Sequence, residues 1–329
     1  MANNIIPIKS LQQSPIVLPS KIHDPKLLPV QSADSILTTI WPEPTWAVPG
    51  ILPVGLGILA GAPKVGKSWL ALQIALAVAA GGVVLGKNVE PGLILYLALE
   101  DPEGRLQDRM NKQLWPKGLK AEFVTIGKLF DHVKVTGLTV GNLLAYQIDH
   151  SLYRLVVIDT LSRAIKGNQK EVDEMTEALS PIQESAHKNN CAILLIDHHR
   201  KNMSESQDAI ADILGSTAKG AMADTTLGLY RERNKSGARL SITGRDVEER
   251  NIEVAFDKVT WCWQLNEKGL TEQQNEIIDV LNKAKKPLGP TQIANELERD
   301  RGTVYKQLVK IEQDGLVKKE GEQWTLPEM

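Results

Sequence analysis

Residues Gly61-Ala62-Pro63-Lys64-Val65-Gly66-Lys67-Ser68 fit the pattern G-x-x-x-x-G-K-[ST]. Each fixed position has a physical task. The glycines let backbone N–H groups turn inward around phosphate oxygens. Lys67 carries a point charge to the β- and γ-phosphates, and Ser68 offers a hydroxyl to a magnesium ion. The helix expected to start here adds its positive N-terminal end. The expected nucleotide cradle therefore runs from Gly61 through Ala62, Pro63, Lys64, Val65, Gly66, Lys67 and Ser68 to Trp69. Pro63 and Lys64 stand where the commonest loops carry more glycine, but the fixed positions are kept. An apolar run at 56–60 leads in, and an apolar helical segment at 67–80 leads out.

Working outward, short apolar runs at 93–99, 123–126, 155–158 and 192–196 alternate with segments that suit helices, at 102–113, 140–150 and 172–189. Strand-helix alternation of this kind predicts an α/β fold, a mostly parallel sheet with helices on both faces. After Asp224 the helices stop. Runs at 225–231, 238–244, 252–256 and 260–265 are expected as antiparallel hairpin strands at the sheet edge. Parallel sheets bind ligands at the carboxyl ends of their strands. The run 155–158 ends in Asp159, which is expected to hold the magnesium through water. The run 93–99 ends in Glu100-Asp101, and 192–196 ends in Asp197-His198-His199-Arg200-Lys201.

With these strand ends in place, the chain resembles the RecA-like P-loop ATPases and, within them, the RepA-type hexameric helicases. The resemblance spans about residues 45–265. It implies ATP and Mg2+ as cofactors and Glu100 as the general base for the attacking water. It also implies a γ-phosphate sensor at the His-His pair, with His199 expected over His198. No Cys or acidic partner at metal spacing accompanies the pair, so a zinc site is not expected. Gly215-Ser216-Thr217-Ala218-Lys219-Gly220 resembles the small-residue element that follows the sensor in RepA-type and DnaB-type helicases. There the preceding loop holds single-stranded DNA, which makes Arg200, Lys201 and Lys219 candidate DNA contacts. Arg231 and Arg233, two residues apart just before a turn, match basic residues that these families donate to the neighbouring subunit's nucleotide. That implies a homo-oligomer, a ring of six.

The last segment, 268–329, has helix-turn-helix spacing at 291–297 and 303–308 and a hairpin across Gly321. It resembles winged-helix domains, which often lay the second helix in the major groove, here presenting Arg301, Thr303, Tyr305 and Lys306 to DNA, and which also serve as protein-protein or oligomer-end modules. Residues 290–329 hold six Lys or Arg against eight Asp or Glu, an acidic balance for a phosphate binder. The expected organisation is an extended or disordered tail at 1–40, an ATPase core at 41–267 and the winged helix at 268–329. A net charge of −2 excludes a strongly basic coat, and two cysteines without metal spacing suit a reducing compartment. No run reaches the ~18 apolar residues of a membrane span, so a cytoplasmic chain is expected. Two functions compete: an ATP-driven DNA helicase or translocase of a plasmid, phage or mobile element, and an ATP-gated DNA-binding or loading factor that does not unwind. A metabolic P-loop kinase fits less well, because a lid and an acceptor-site signature are missing.

Overall fold

The computed structural model describes residues 28, 30–40, 45–165, 172–198, 217–231, 237–266, 272–313 and 316–326. They fall into two units, Met1–Glu43 and Pro44–Met329. In the first unit a short helix, α1 (Ala33–Thr38), departs from the extended tail expected there. The Ser32 hydroxyl caps it by accepting from the Ser35 N–H at 3.1 Å, and no residue of the helix is buried.

The second unit opens with β1 (Trp46–Val48) and β2 (Leu52–Pro53), which pair antiparallel around Gly50. Then follow β3 (Gly55–Gly61), α2 (Lys67–Ala80), a small hairpin of β4 (Gly82–Val84) and β5 (Lys87–Val89), β6 (Leu93–Ala98) and α3 (Glu103–Lys112). The chain continues with β7 (Ala121–Thr125), α4 (Ile126–Thr136), α5 (Val140–Asp149), β8 (Tyr153–Asp159), α6 (Leu161–Ala164), α7 (Val172–Lys188), β9 (Ala192–His198) and α8 (Thr217–Met222). β10 (Thr225–Tyr230), β11 (Gly237–Gly244), β12 (Arg250–Asp257) and β13 (Cys262–Leu265) complete the main sheet.

That sheet has nine strands in the order β13-β12-β11-β10-β3-β9-β8-β6-β7. The pairs from β10 through β7 are parallel, and β11 to β13 run antiparallel at one edge. The expected architecture is therefore present, with one correction. The segment at 225–230 forms the expected antiparallel hairpin with β11, but it is an interior strand that pairs parallel to β3 on its other side. It is buried along its whole length, and it enters beside β3 after α8 and so runs the same way as its neighbour. Asp224 pins the start of both strands: its Oδ2 accepts from the Leu56 N–H at 2.8 Å, and Arg245 Nη1 reaches its Oδ1 at 3.0 Å.

Alternation along the strands explains why both faces are covered. Leu56 and Ile58 of β3, with Ile193 and Leu195 of β9, join one apolar cluster with α4, α5 and α7. Leu59, Leu194 and Ile196 point the other way, into a cluster with α2, α3 and Trp263. A third cluster belongs to α9 (Glu272–Ala284), α10 (Pro290–Glu296), α11 (Arg301–Gln313) and the hairpin of β14 (Lys318–Glu320) and β15 (Gln323–Thr325). Ile293, Val304, Leu308, Ile311 and Trp324 fill it, giving the winged-helix arrangement. Among the described residues no helix is long and apolar enough to cross a membrane.

Candidate active site

The phosphate loop connects the end of β3 to α2. Gly66 is the residue before the helix, with φ at 106°, and no side chain caps the first turn, which also holds no acid. The leading N–H groups of α2 are thus uncapped donors at the positive end of a helix dipole, an arrangement suited to phosphate. Gly66 is required twice over: its backbone is left-handed, and a Cβ there would lie 2.9 Å from the Trp263 ring. The Trp263 indole N–H donates to the Gly66 carbonyl at 3.1 Å, so β13 braces the loop. Lys64 takes a left-handed φ of 66°, a conformation that glycine adopts freely and that costs an L-residue about 1–2 kcal/mol.

Lys67 Nζ donates to the carbonyls of Gly61 at 2.8 Å and Ala62 at 3.0 Å. Burial lowers its pKa to about 8, although Asp159, Glu100 and Asp197 pull the other way. The ammonium is the form a triphosphate needs. Triphosphate affinity is therefore expected to fall as pH rises through about 8, and binding above that pH should take up a proton. Titration calorimetry at pH 9 in two buffers of different ionisation heat measures that uptake. Equal heats in both buffers, with affinity unchanged from pH 7, would remove this account of Lys67.

Register brings the acids to the same end. Ala98 of β6 pairs with Asp159 of β8, and Gly61 of β3 pairs with His198 of β9. Asp159 is buried, and burial raises its carboxyl pKa to about 6. The buried Tyr96 hydroxyl donates to its Oδ2 at 2.9 Å. The Ser68 hydroxyl faces the carboxylate and holds its pKa down, yet no well-formed hydrogen bond reaches the buried Oδ1. A buried, unsatisfied carboxylate oxygen facing the loop hydroxyl is a donor set that fits a magnesium ion, an oxygen-seeking cation.

Glu100 and Asp101 separate into two roles. Asp101 is nearly buried and clamped by Arg109 at 2.5 Å and Arg105 at 3.4 Å. Glu100 is exposed, and its Oε1 accepts from the Thr160 hydroxyl at 2.9 Å. Asp101 is thus engaged by two arginines of α3, while Glu100 stays exposed at the end of β6.

Among the sensor candidates, the described imidazole at the site is His198. Its Nδ1 lies 3.3 Å from Lys67 Nζ, and burial followed by the Lys67 charge lowers its pKa. An ammonium has only protons to give, so this contact is a hydrogen bond when Nδ1 is deprotonated. His199, Arg200, Lys201 and Arg233 lie outside the described residues. Lys219 corrects the sequence expectation. It is fully buried, and its Nζ pairs with Asp197 Oδ2 at 2.8 Å, so it is a core ion pair and no DNA contact. The reason is tertiary: α8 packs against α7, and Lys219 meets the carboxylate one residue before His198. Removing one partner strands a buried charge, so Lys219→Met is expected to cost about 3–5 kcal/mol in urea unfolding. A cost under 1 kcal/mol would show the pair to be dispensable.

Arg231 sits at the end of β10, with its guanidinium 5.4 Å from the Phe256 ring centroid and 5.3 Å from that of Trp263. Arg231 thus packs on the same Trp263 that braces Gly66. The Trp69 ring is taken up by its own chain, with Trp261 at 4.9 Å and Arg109 at 5.2 Å, which leaves its backbone as the part that can serve a nucleotide. Gln113 Nε2 ties this corner together by donating to the carbonyls of Trp69 and Trp261, both at 3.0 Å. Neither Gln113 nor Tyr96 carried a sequence signal, because neither belongs to a spaced motif.

On α11, Arg301, Thr303, Tyr305 and Lys306 are all exposed. The Thr303 N–H and hydroxyl are engaged by Asp300 at 2.8 and 3.2 Å, and Tyr305 packs edge-on against Trp324 with ring centroids 5.7 Å apart.

A family model described as an AAA domain, AAA_25, matches residues 23–204, more than half of the chain. The ribonuclease R winged-helix domain model matches residues 275–329. Among solved structures, the crystal structure of the RadB recombinase is similar at 18% identity with a TM-score of 0.47, covering 65% of this chain and 91% of that one. Comparison with curated proteins gave no match.

Proposed function

The chain belongs to the AAA_25 family of AAA domains, and from that premise we propose that it is a magnesium-dependent ATPase that acts on DNA. One observation carries the reading: Lys67, His198, Asp159 and Glu100 come together at the carboxyl ends of four consecutive strands, β3, β9, β8 and β6. In this reading the α2 N-terminus and Lys67 hold the β- and γ-phosphates. Ser68 and Asp159 hold magnesium, which when bound offsets the charge on the phosphates. Glu100 accepts the proton of the attacking water, and His198 hydrogen-bonds near the γ-phosphate alongside Lys67.

The finer proposal is a RepA-type helicase or translocase, assembled as a ring of six, serving replication of a plasmid, phage or mobile element. Single-stranded DNA would pass near the segment holding Arg200 and Lys201. A second reading, an ATP-gated loading factor, is favoured by the exposed Arg301, Tyr305 and Lys306 of the winged helix. ATPase rates with and without single-stranded DNA, read beside strand separation on a forked duplex, decide between them. Stimulation with unwinding supports the helicase, and duplex binding gated by ATP without unwinding supports the loader. A rate blind to both DNAs would sink the DNA-directed reading.

Arg231 and Arg233 are proposed to complete a nucleotide site. The packing of Arg231 on Trp263 favours action on its own chain's loop over donation to a neighbour. Mixing Arg231→Ala with Lys67→Ala chains tests this. Recovery of turnover in the mixture means donation in trans. A mixture that stays inactive while both variants still assemble means action in cis.

A further inference from the structure

Thr160 occupies the N-cap position of α6, where a threonine hydroxyl ordinarily accepts from a helix N–H. Here it makes no such bond. Its Oγ1 turns instead to Glu100 Oε1 at 2.9 Å, and Thr160 itself is buried at 2% exposure. We infer that Thr160 is a positioning residue for Glu100, fixing the carboxylate that receives the water proton. The inference rests on the reading of Glu100 as general base.

The argument runs through the backbone first. The Leu99 N–H donates to the Asp159 carbonyl at 2.8 Å, so β6 and β8 stay hydrogen-bonded up to the residues just before Glu100 and Thr160. The side-chain bond continues that ladder by one rung, past the point where the main chains part. Glu100 is exposed, and an exposed glutamate samples many rotamers; a bond from a buried, rigid partner removes that freedom before substrate arrives. A hydroxyl has a single proton. With the Thr160 proton spent on the carboxylate, Thr160 accepts from Ser162, whose Oγ lies 3.0 Å away. Ser162 thus orients Thr160, and Thr160 orients Glu100. The chain engages Oε1 alone among the described residues, which leaves Oε2 to accept from water.

The test uses the full chain and compares Thr160→Val, Thr160→Ser, Glu100→Gln and the Thr160→Val/Glu100→Gln double variant. Readouts are kcat and KM for magnesium-ATP, affinity for a fluorescent ATP analogue, and thermal melting. Thr160→Val is expected to lose on the order of 10-fold in kcat, with analogue affinity and KM within about twofold of wild type. Thr160→Ser should recover most of the rate, since it restores the hydroxyl. Adding Thr160→Val to Glu100→Gln should cost nothing further, because the positioned group is already gone. If Thr160→Val does not fold, Thr160→Ala against Thr160→Ser reads the same contrast. A wild-type kcat in Thr160→Val beside an inactive Glu100→Gln overturns the inference alone, as does a double variant whose losses multiply. A wild-type kcat in Glu100→Gln overturns the base assignment and this inference with it.

Discussion

Lys67→Ala is expected to lower ATP turnover by on the order of 10²–10³-fold, the scale set by removing one preorganised donor from a developing charge. Lys67 is the buried cation of the loop, and its Nζ is held at its lip by the Gly61 and Ala62 carbonyls, within reach of any phosphate that the α2 N-terminus binds. Two neighbouring cations are engaged elsewhere. Lys219 is committed to Asp197, and Arg109 is committed to Asp101. Lys67→Arg should fail nearly as badly, because a planar fork does not fit the space of a compact ammonium. Steady-state phosphate release, with folding checked by melting, measures the loss. Turnover within a few-fold of wild type would remove the premise of the whole site.

Glu100→Gln is expected to bind ATP with near wild-type affinity and to lose about 10²–10⁴-fold in turnover, the usual scale for a missing general base. Gln keeps the size of the side chain and can still accept from Thr160, but it cannot take a proton from water. The contrasting variant is Asp101→Asn. Because Asp101 is held by Arg105 and Arg109, that change should weaken the packing of α3 and lower the melting temperature while turnover per folded molecule stays close to wild type. Single-turnover kinetics with radiolabelled ATP separates the two: Glu100→Gln should hold uncleaved ATP. If Asp101→Asn instead abolishes cleavage in a folded protein, the two acids exchange roles.

Much of this was legible in residue order. The octapeptide 61–68 fixes its chemistry locally, because its glycines, lysine and serine act through backbone conformation and short reach. The strand runs ending in Glu100 and Asp159 were also legible, since a buried strand that ends in a carboxylate can expose it only at the sheet edge. The place of His198 was not, since only its pairing with Gly61 sets that imidazole on a rung with the phosphate loop, and His199 lies outside the described residues. The α4 helix was missed because Ile126, Gly127, Val133 and Val135 weaken its local signal, while its burial comes from packing under β7.

Lys219 shows the same limit most sharply. In sequence it is a lysine after a polar segment, beside candidate DNA contacts. In the fold it is among the most deeply buried side chains, because α8 packs on α7 and sets it against Asp197. Charge identity is a local property, and burial is not. The sequence by itself determined the α/β class, the phosphate loop, the acid at each strand end and the winged-helix module, since each rests on spacing within one segment. Tertiary structure alone decided that β10 runs parallel in the interior, that Asp101 is clamped and Glu100 is not, that Thr160 abandons its helix cap for Glu100, and that Arg231 lies against its own Trp263. Each of these depends on which distant segment arrives alongside, and no local pattern encodes that.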